Sequence, residues 1–392
     1  MKIAIAGGGI GGLTLAGLLD KQKHDVVVVE QAPAFGEVGA GVLISANGAR
    51  VLSELGLDEQ MRRYGTLSER MVIRRWQNDV ELMTVPMGDE PQKRWGYANY
   101  TFYRPDIIEM LMHRTQGVTL KLDSRVVDVC DDSDGISLSL ESGEAVEADL
   151  VVGADGTHSQ VRESSYGPHP SRYSGFVGYR VQIPREKVSG LKVETNNRIG
   201  PDGHVVSYFI GEDQSKLNVV FITRESEWAE ESWTALGSLT TLRAAYEGWS
   251  DELQIILDQV EDPVYRWALH DREPLTTWQL GKATLLGDAA HPVLPFMAQG
   301  ACQAIEDAAV LARCLNNVDE TDTAISRYEA IRKPRTDQIQ SGSWNNATTF
   351  HLPDGPEQQA RDTFYASMVN QNVHPLASLD WLHGYDVLAE AI

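Results

Sequence analysis

Two side chains in His204-Val-Val-Ser-Tyr208 could handle a proton. Alternating residues 205–210 predict a strand there, and a separation of four puts both side chains on one strand face. A histidine titrates near neutrality, and a phenol beside it can relay a hydrogen bond. A second pattern opens the chain. Gly7-Gly8-Gly9-Ile10-Gly11-Gly12 satisfies G-x-G-x-x-G. In that motif Gly7 permits a tight turn, Gly9 lets the backbone approach a pyrophosphate, and Gly12 lets helix and strand pack closely. A helix starting there offers free N–H groups and partial positive charge to phosphate.

The elements that must position this motif are legible around it. Residues 2–6 read as a short buried strand, and residues 10–19 carry apolar side chains at helical spacing. Residues 25–30 form a second strand with four successive valines, ending at Glu30, placed to accept hydrogen bonds from a ribose diol. This unit opens a doubly wound sheet that binds a dinucleotide. Glu30 does not choose between NAD and FAD. Two later motifs narrow the choice to FAD. One is Asp155-Gly156 after the apolar run 149–153, leading into a charged helix start at Arg162. The other is Gly287-Asp288 after residues 283–286, where a carboxylate would meet ribityl or ribose hydroxyls. The loop 292–300 then enters a helix at Ala301, followed by the acidic pair Glu306 and Asp307.

The fold class read from these elements is α/β, a Rossmann-like FAD-binding domain with an inserted, mostly antiparallel sheet. Residues 1–70, 100–174 and 270–320 are assigned to the FAD-binding domain. Residues 71–99 and 175–269 are assigned to a substrate domain, and 321–392 to C-terminal helices. An insertion facing a cofactor domain creates a cleft, a common place for ligands. Residues 71–85 read as strands around a turn at Gln77-Asn78-Asp79, residues 121–131 as one strand, and 236–246 as a helix.

Composition limits the function classes. The chain has 392 residues, 42% of them hydrophobic, which fits a globular protein of more than one unit. Its net charge of −22 argues against nucleic acid as a partner. No apolar run reaches the roughly 18 residues of a membrane span, and the run at residues 3–6 is too short for a secretory signal. Three cysteines, Cys130, Cys302 and Cys314, lack metal or redox spacing, so no metal and a cytoplasmic location are expected.

The three spaced motifs, in this order, resemble the class A FAD-dependent aromatic hydroxylases, end to end. Within that family the chain resembles salicylate hydroxylases, 3-hydroxybenzoate 6-hydroxylases and 6-hydroxynicotinate 3-monooxygenases. Phe350-His-Leu-Pro-Asp-Gly-Pro resembles the salicylate hydroxylase group, and Pro295-Phe-Met-Ala-Gln-Gly-Ala301 resembles its flavin loop. The resemblance implies FAD contacts from the first unit at Gly7, Gly9, Ile10, Gly11, Gly12, Glu30 and Gln31. Gly39-Ala40-Gly41 and Val42 would pass the isoalloxazine, Arg104 would contact the flavin, and Val126 would lie near the adenine. Asp155, Asp288, Pro295, Gly300 and Ala301 complete the cofactor set.

The resemblance implies catalysis as well. NADH or NADPH, a transient co-substrate, reduces the flavin. O2 then gives a flavin C4a-hydroperoxide that hydroxylates an electron-rich phenolic ring. His204 and Tyr208 match a pair that lines the substrate pocket in the 3-hydroxybenzoate and hydroxynicotinate branches and are the candidate catalytic residues, and Leu43, Arg180 and Phe296 are expected to line the same pocket. Leu43 and Phe296 stand where the hydroxynicotinate branch has histidines, which favours a benzenoid ring. Pro295 stands where the 3-hydroxybenzoate branch has glutamine. The expected substrate is therefore salicylate, hydroxylated to catechol with loss of its carboxylate, or a related hydroxybenzoate. Arg180 is the candidate carboxylate partner. Hydroxynicotinate or 3-hydroxybenzoate hydroxylation, or flavin reduction without oxygen insertion, are the alternatives. A monomer or homodimer free of membrane is expected.

Overall fold

The computed structural model describes residues 1–21, 24–35, 40–132, 135–226, 235–370, 374 and 376–392. Apolar strands too short to bury themselves stack side by side in a six-stranded sheet. Its spatial order is Gln279–Leu280, Ala283–Leu285, Leu150–Gly153, Lys2–Ala6, Asp25–Val29 and Thr119–Lys121. All neighbours run parallel except the edge strand Gln279–Leu280. Ile3, Ile5, Val28, Val151 and Val152 have no exposure, as expected of strands covered on both faces. The three motif turns therefore follow the C-terminal ends of three adjacent strands, where open α/β sheets bind ligands.

The second sheet has eight strands and carries the candidate proton-handling residues. Its order is Ala235–Gly237, Val264–Asp271, Arg172–Pro184, Lys216–Arg224, Gly203–Ile210, Thr195–Gly200, Arg70–Arg75 and Glu81–Pro86. Every pair is antiparallel except Thr195–Gly200 with Arg70–Arg75. The period of two divides the strand Gly203–Ile210 cleanly. Val205 and Phe209 point into a core closed by Leu242, Leu253 and Ile256 of two short helices. His204 and Tyr208 point to the other side. There a second core of Phe176, Ile222, Trp267, Leu294, Phe296 and Phe350 joins the sheet to the loop after Gly287 and to the long helix Thr321–Thr349. Full burial of each such aromatic is worth about 1.5–3 kcal/mol, so the cleft rests on a packed floor.

Two sequence expectations are corrected. Residues 121–131 are not one strand. The chain leaves the six-stranded sheet after Lys121, turns through Asp123 at φ 51°, and starts Val126–Asp131 in a separate three-stranded sheet. Residues 236–246 are not one helix: Ala235–Gly237 pairs with Val264–Asp271, and the helix starts only at Leu239 behind the Ser238 cap. Apolar side chains served both elements, so periodicity alone could not separate them. No helix among the described residues is long and apolar enough to cross a membrane.

Candidate active site

The cradle for a dinucleotide is built mainly from backbone. Gly7 turns at φ 104°, and a Cβ there would lie 2.3 Å from the Ala154 carbonyl oxygen. A Cβ on Gly12 would lie 2.0 Å from the Gly7 oxygen, and one on Gly11 would strike Leu286. At Gly9 a Cβ would meet nothing within 4 Å. Three glycines are thus demanded by packing, and Gly9 alone of these four faces open space. Ile10 starts the helix Ile10–Lys21 and is buried.

Glu30 accepts one backbone N–H on each oxygen, from Gly8 at 2.7 Å and Ala32 at 2.8 Å. A carboxylate has about four lone-pair sites, so capacity for a ribose diol remains. Exposed Gln31 follows it. Ser124 donates to the Glu30 carbonyl at 2.9 Å, which brings buried Val126 to the same end of the cradle.

The other two motifs close on this turn. Asp155 Oδ2 accepts the N–H groups of Gln160 and Val161 and so caps the helix Gln160–Tyr166. Its Oδ1 is buried without a hydrogen-bond partner among the described residues, and a buried polar atom of this kind fits a polar ligand group. Burial pushes this carboxyl upward. Arg162 ties the two motifs together, donating to the Ala289 and Thr157 carbonyls. Asp288 lies deep in the molecule, yet its side chain is exposed. That combination places it on the wall of a cleft. Burial pushes its carboxyl up, and the positive Arg104 side chain is close enough to oppose the shift.

A buried ionic network holds the Asp288 loop from behind. Asp307 accepts the Gly287 N–H at 2.9 Å and binds His291 Nε2 at 2.6 Å. Arg332 donates to Asp307 at 2.7 Å and to Glu306 at 2.5 Å, and Arg335 donates to Glu306 at 2.8 Å. Arg332, Glu306 and Asp307 have no exposed side-chain area. Opposed charges hold Asp307 down at about 2, although burial alone would raise it. The arginines were not anticipated from sequence. An acidic pair inside an otherwise apolar helix was the available signal, since buried carboxylates require partners. The loop continues through exposed Pro295 and buried Phe296 to Gly300, which opens the helix Gly300–Asn317, with Ala301 half-buried at its start.

The opposite wall is the sheet face. Gly41 and Val42 begin the strand Gly41–Ile44, which pairs with Tyr100–Tyr103. Gly39 lies outside the described residues. Gly41 donates its N–H to Asn218 Oδ1 at 3.0 Å, and a Cβ there would lie 2.6 Å from the Tyr208 ring. Leu43 is half-buried one residue beyond Val42. Tyr208 is buried, and desolvation pushes its phenol well up. Arg180 acts on Tyr208 electrostatically and sits over the Trp267 ring at 5.2 Å. It is half-buried, without an ion pair or hydrogen bond among the described residues, and burial followed by the neighbouring Arg104 depresses its guanidinium.

His204 occupies the other end of this face. Phe296 and Phe350 meet its ring edge-on at 5.3 and 5.5 Å. Its Nδ1 lies 2.7 Å from His351 Nε2. Burial drives His204 well below its ordinary value, with His351 adding to the shift. The structure therefore puts His204 and Tyr208 on one strand face, with Phe296 against His204 and with Arg180 and Gly41 beside Tyr208. His351, Asn218 and Trp267 join them without having been singled out. His351 belongs to the Phe350-His-Leu-Pro stretch, which resembles the family but carries no local chemical signal.

Residues 1–343 match the family model described as FAD binding domain. The 3-amino-4-hydroxybenzoate 2-monooxygenase PtmB3 of Streptomyces platensis is 34% identical over 388 residues, 98% of this chain and 96% of that one. The 6-hydroxynicotinate 3-monooxygenase of Bordetella bronchiseptica is 31% identical over 396 residues, covering 100% and 97%. A salicylate hydroxylase substrate complex shares the fold, with a TM-score of 0.82 at 22% identity over 99% and 96% of the two chains. A glycine cradle that fits FAD, a family match across most of the chain and full-length relatives of this kind together show that the chain belongs to the class A FAD-dependent aromatic hydroxylases.

Proposed function

We propose that this enzyme uses NADH or NADPH and O2 to hydroxylate a phenolic benzoate. The observation that carries the reading is Arg180, without an ion pair or hydrogen bond among the described residues, beside Tyr208 on the sheet face that also carries the buried neutral His204. A carboxylate is the natural partner for an arginine left without one. A neutral buried histidine can take the phenolic proton that otherwise leaves the ring too electron-poor to hydroxylate. Four residues of strand separate the backbones of His204 and Tyr208 by about 13 Å. That span accommodates one ring with its acid at the Tyr208 end and its phenol at the His204 end. It favours a hydroxybenzoate with the two groups apart over salicylate, in which they are adjacent. The apolar Leu43 and Phe296 support a benzenoid ring over a pyridine.

When bound, FAD reduced by the nicotinamide supplies the oxygen-transfer chemistry. Asp288 and the Gly9 backbone would hold its sugar and phosphates. The aromatic wall of Phe176, Phe296 and Phe350 excludes water from the ring.

A panel of hydroxybenzoates and hydroxypyridines, scored for stimulated NADH and NADPH oxidation, O2 uptake and hydroxylated product, tests this. Product from 3- or 4-hydroxybenzoates, with salicylate slower, is expected. Stimulated oxidation without any hydroxylated product would leave a flavin reductase instead. Arg180→Met should raise the dissociation constant for the acid about 10–100-fold, the worth of a charged hydrogen bond, with FAD content unchanged. His204→Ala and Tyr208→Phe should both lower coupled turnover.

A further inference from the structure

The hydrogen bonds around His351 fix the protonation of both histidines. His351 Nδ1 lies 2.6 Å from the Ala347 carbonyl oxygen. A carbonyl only accepts, so this nitrogen carries the hydrogen. Neutral His351 then has a bare Nε2, and the His204 Nδ1 at 2.7 Å must donate to it. His204 is left with its lone pair on Nε2, since the ring's hydrogen bond among the described residues is made through Nδ1. Both rings are held in place. His351 stacks on Phe176 at 4.2 Å, and His204 is wedged against Phe296 and Phe350. Ala347 belongs to the helix Thr321–Thr349, so the reference point of the chain is rigid.

The rings are also neutral. Burial is the main cause for His351, which is pushed down to about 4; Arg224 and Arg361 push the same way, while the Ala347 carbonyl and Asp202 oppose. His204 feels burial first and His351 second.

We propose that His351 is a positioning residue for His204, locking it as the Nδ1–H tautomer and receiving the proton that His204 passes on. The proposal rests on the reading that His204 takes a phenolic proton. In the transfer the substrate O–H bond breaks as His204 Nε2–H forms. The His204 Nδ1–H bond breaks as His351 Nε2–H forms. No electrons change owner, and the positive charge comes to rest on His351, whose ring lines a cavity of about 250 Å³ with Ser174, Arg224 and Trp344. The reverse transfer returns the proton to the product phenolate. A third group orienting a histidine base is the logic of hydrolase triads, here with imidazole in place of a carboxylate.

The test uses FAD-loaded enzyme with ring-15N histidine, read by long-range proton–nitrogen correlation, beside steady-state kinetics. Wild type should show His204 protonated on Nδ1 and bare on Nε2. In His351→Gln the amide oxygen still accepts from Nδ1, so the tautomer and KM should stay while kcat falls about 100-fold or more, the range for a lost proton-transfer group. The acid limb of its kcat profile should move to higher pH, because in acid a protonated His351 no longer opposes protonation of His204. His351→Phe should release the tautomer to a mixture. Retained FAD content checks the fold of each variant. The proposal is overturned if wild-type His204 carries its hydrogen on Nε2, or if His351→Phe leaves both the tautomer and the kcat profile of wild type. If His204→Ala turns over at the wild-type rate while wild type shows the Nδ1–H tautomer, the catalytic reading of His204 and the proton-passing step fall, and the tautomer lock stands.

Discussion

The main-chain N–H of Gly41 donates to Asn218 Oδ1 at 3.0 Å, and the Tyr208 ring lies against the same α-carbon. One residue of the dinucleotide side thus touches two neighbouring strands of the sheet side. Asn218 is fully buried, and its Nδ2 has no partner among the described residues. The contact fixes how closely the two walls of the cleft approach.

Gly41→Ala should therefore act on substrate more than on cofactor. The new Cβ would sit 2.6 Å from both Asn218 and Tyr208, so one of them must shift. Overpacking of this kind costs about 1–3 kcal/mol. The expected result is a lowered unfolding midpoint and a raised KM for the aromatic acid. Unchanged kinetics would mean that the walls separate without consequence.

Gly9 and Gly12 should behave in opposite ways. Gly9→Ala has room in the folded chain, so its FAD-free stability should match wild type while FAD binding weakens. Gly12→Ala would drive a Cβ to within 2.0 Å of the Gly7 oxygen, so the fold itself should suffer. Thermal unfolding of FAD-free protein, beside FAD titration by fluorescence, separates the two effects.

Asp288→Asn should uncouple stability from binding. Burial raises the folded-state carboxyl above its ordinary value. Because the side chain is also exposed to solvent, its ionisation at neutral pH costs little stability, and that small cost is relieved as pH falls through the raised value. Removing the charge should leave FAD-free protein as stable as wild type or more so. The dissociation constant for FAD should rise about 10–100-fold, the worth of one charged hydrogen bond. A parallel loss of stability would contradict this account.

Asp307 has the reverse sign. Its folded value of about 2 lies below its ordinary 3.8. Its stabilisation is complete above about pH 4 and is lost as pH falls through 2. Asp307→Ala leaves the Gly287 N–H and His291 Nε2 without their buried partner and takes one of two carboxylates from Arg332, which keeps Glu306. Breaking a buried pair from one side costs about 3–5 kcal/mol. Chemical denaturation at pH 7 should show that loss, and the difference from wild type should shrink at acid pH.

The cradle was legible because it is local. Strand, glycine turn and helix follow one another within residues 2–21, and each glycine answers to a neighbour a few positions away or to the next strand end. The sheet face of His204 and Tyr208 was legible for the same reason: strand alternation needs only adjacent residues. The break at Asp123 and the strand at Ala235–Gly237 were not, because pairing partners decided them. Arg332 and Arg335 reach Glu306 across 26 and 29 residues of chain, and no local spacing announces that.

Sequence by itself determined a dinucleotide turn, its glycines, the two later carboxylate motifs and a histidine and tyrosine on one strand face. Tertiary structure alone decided their partners. His351 lies 147 residues from His204, yet their nitrogens stand 2.7 Å apart. Asn218 meets Gly41 across 177 residues. Hydrogen bonds and desolvation act through space, so the charge state of the proton-handling pair is settled by which distant segments the fold stacks upon it.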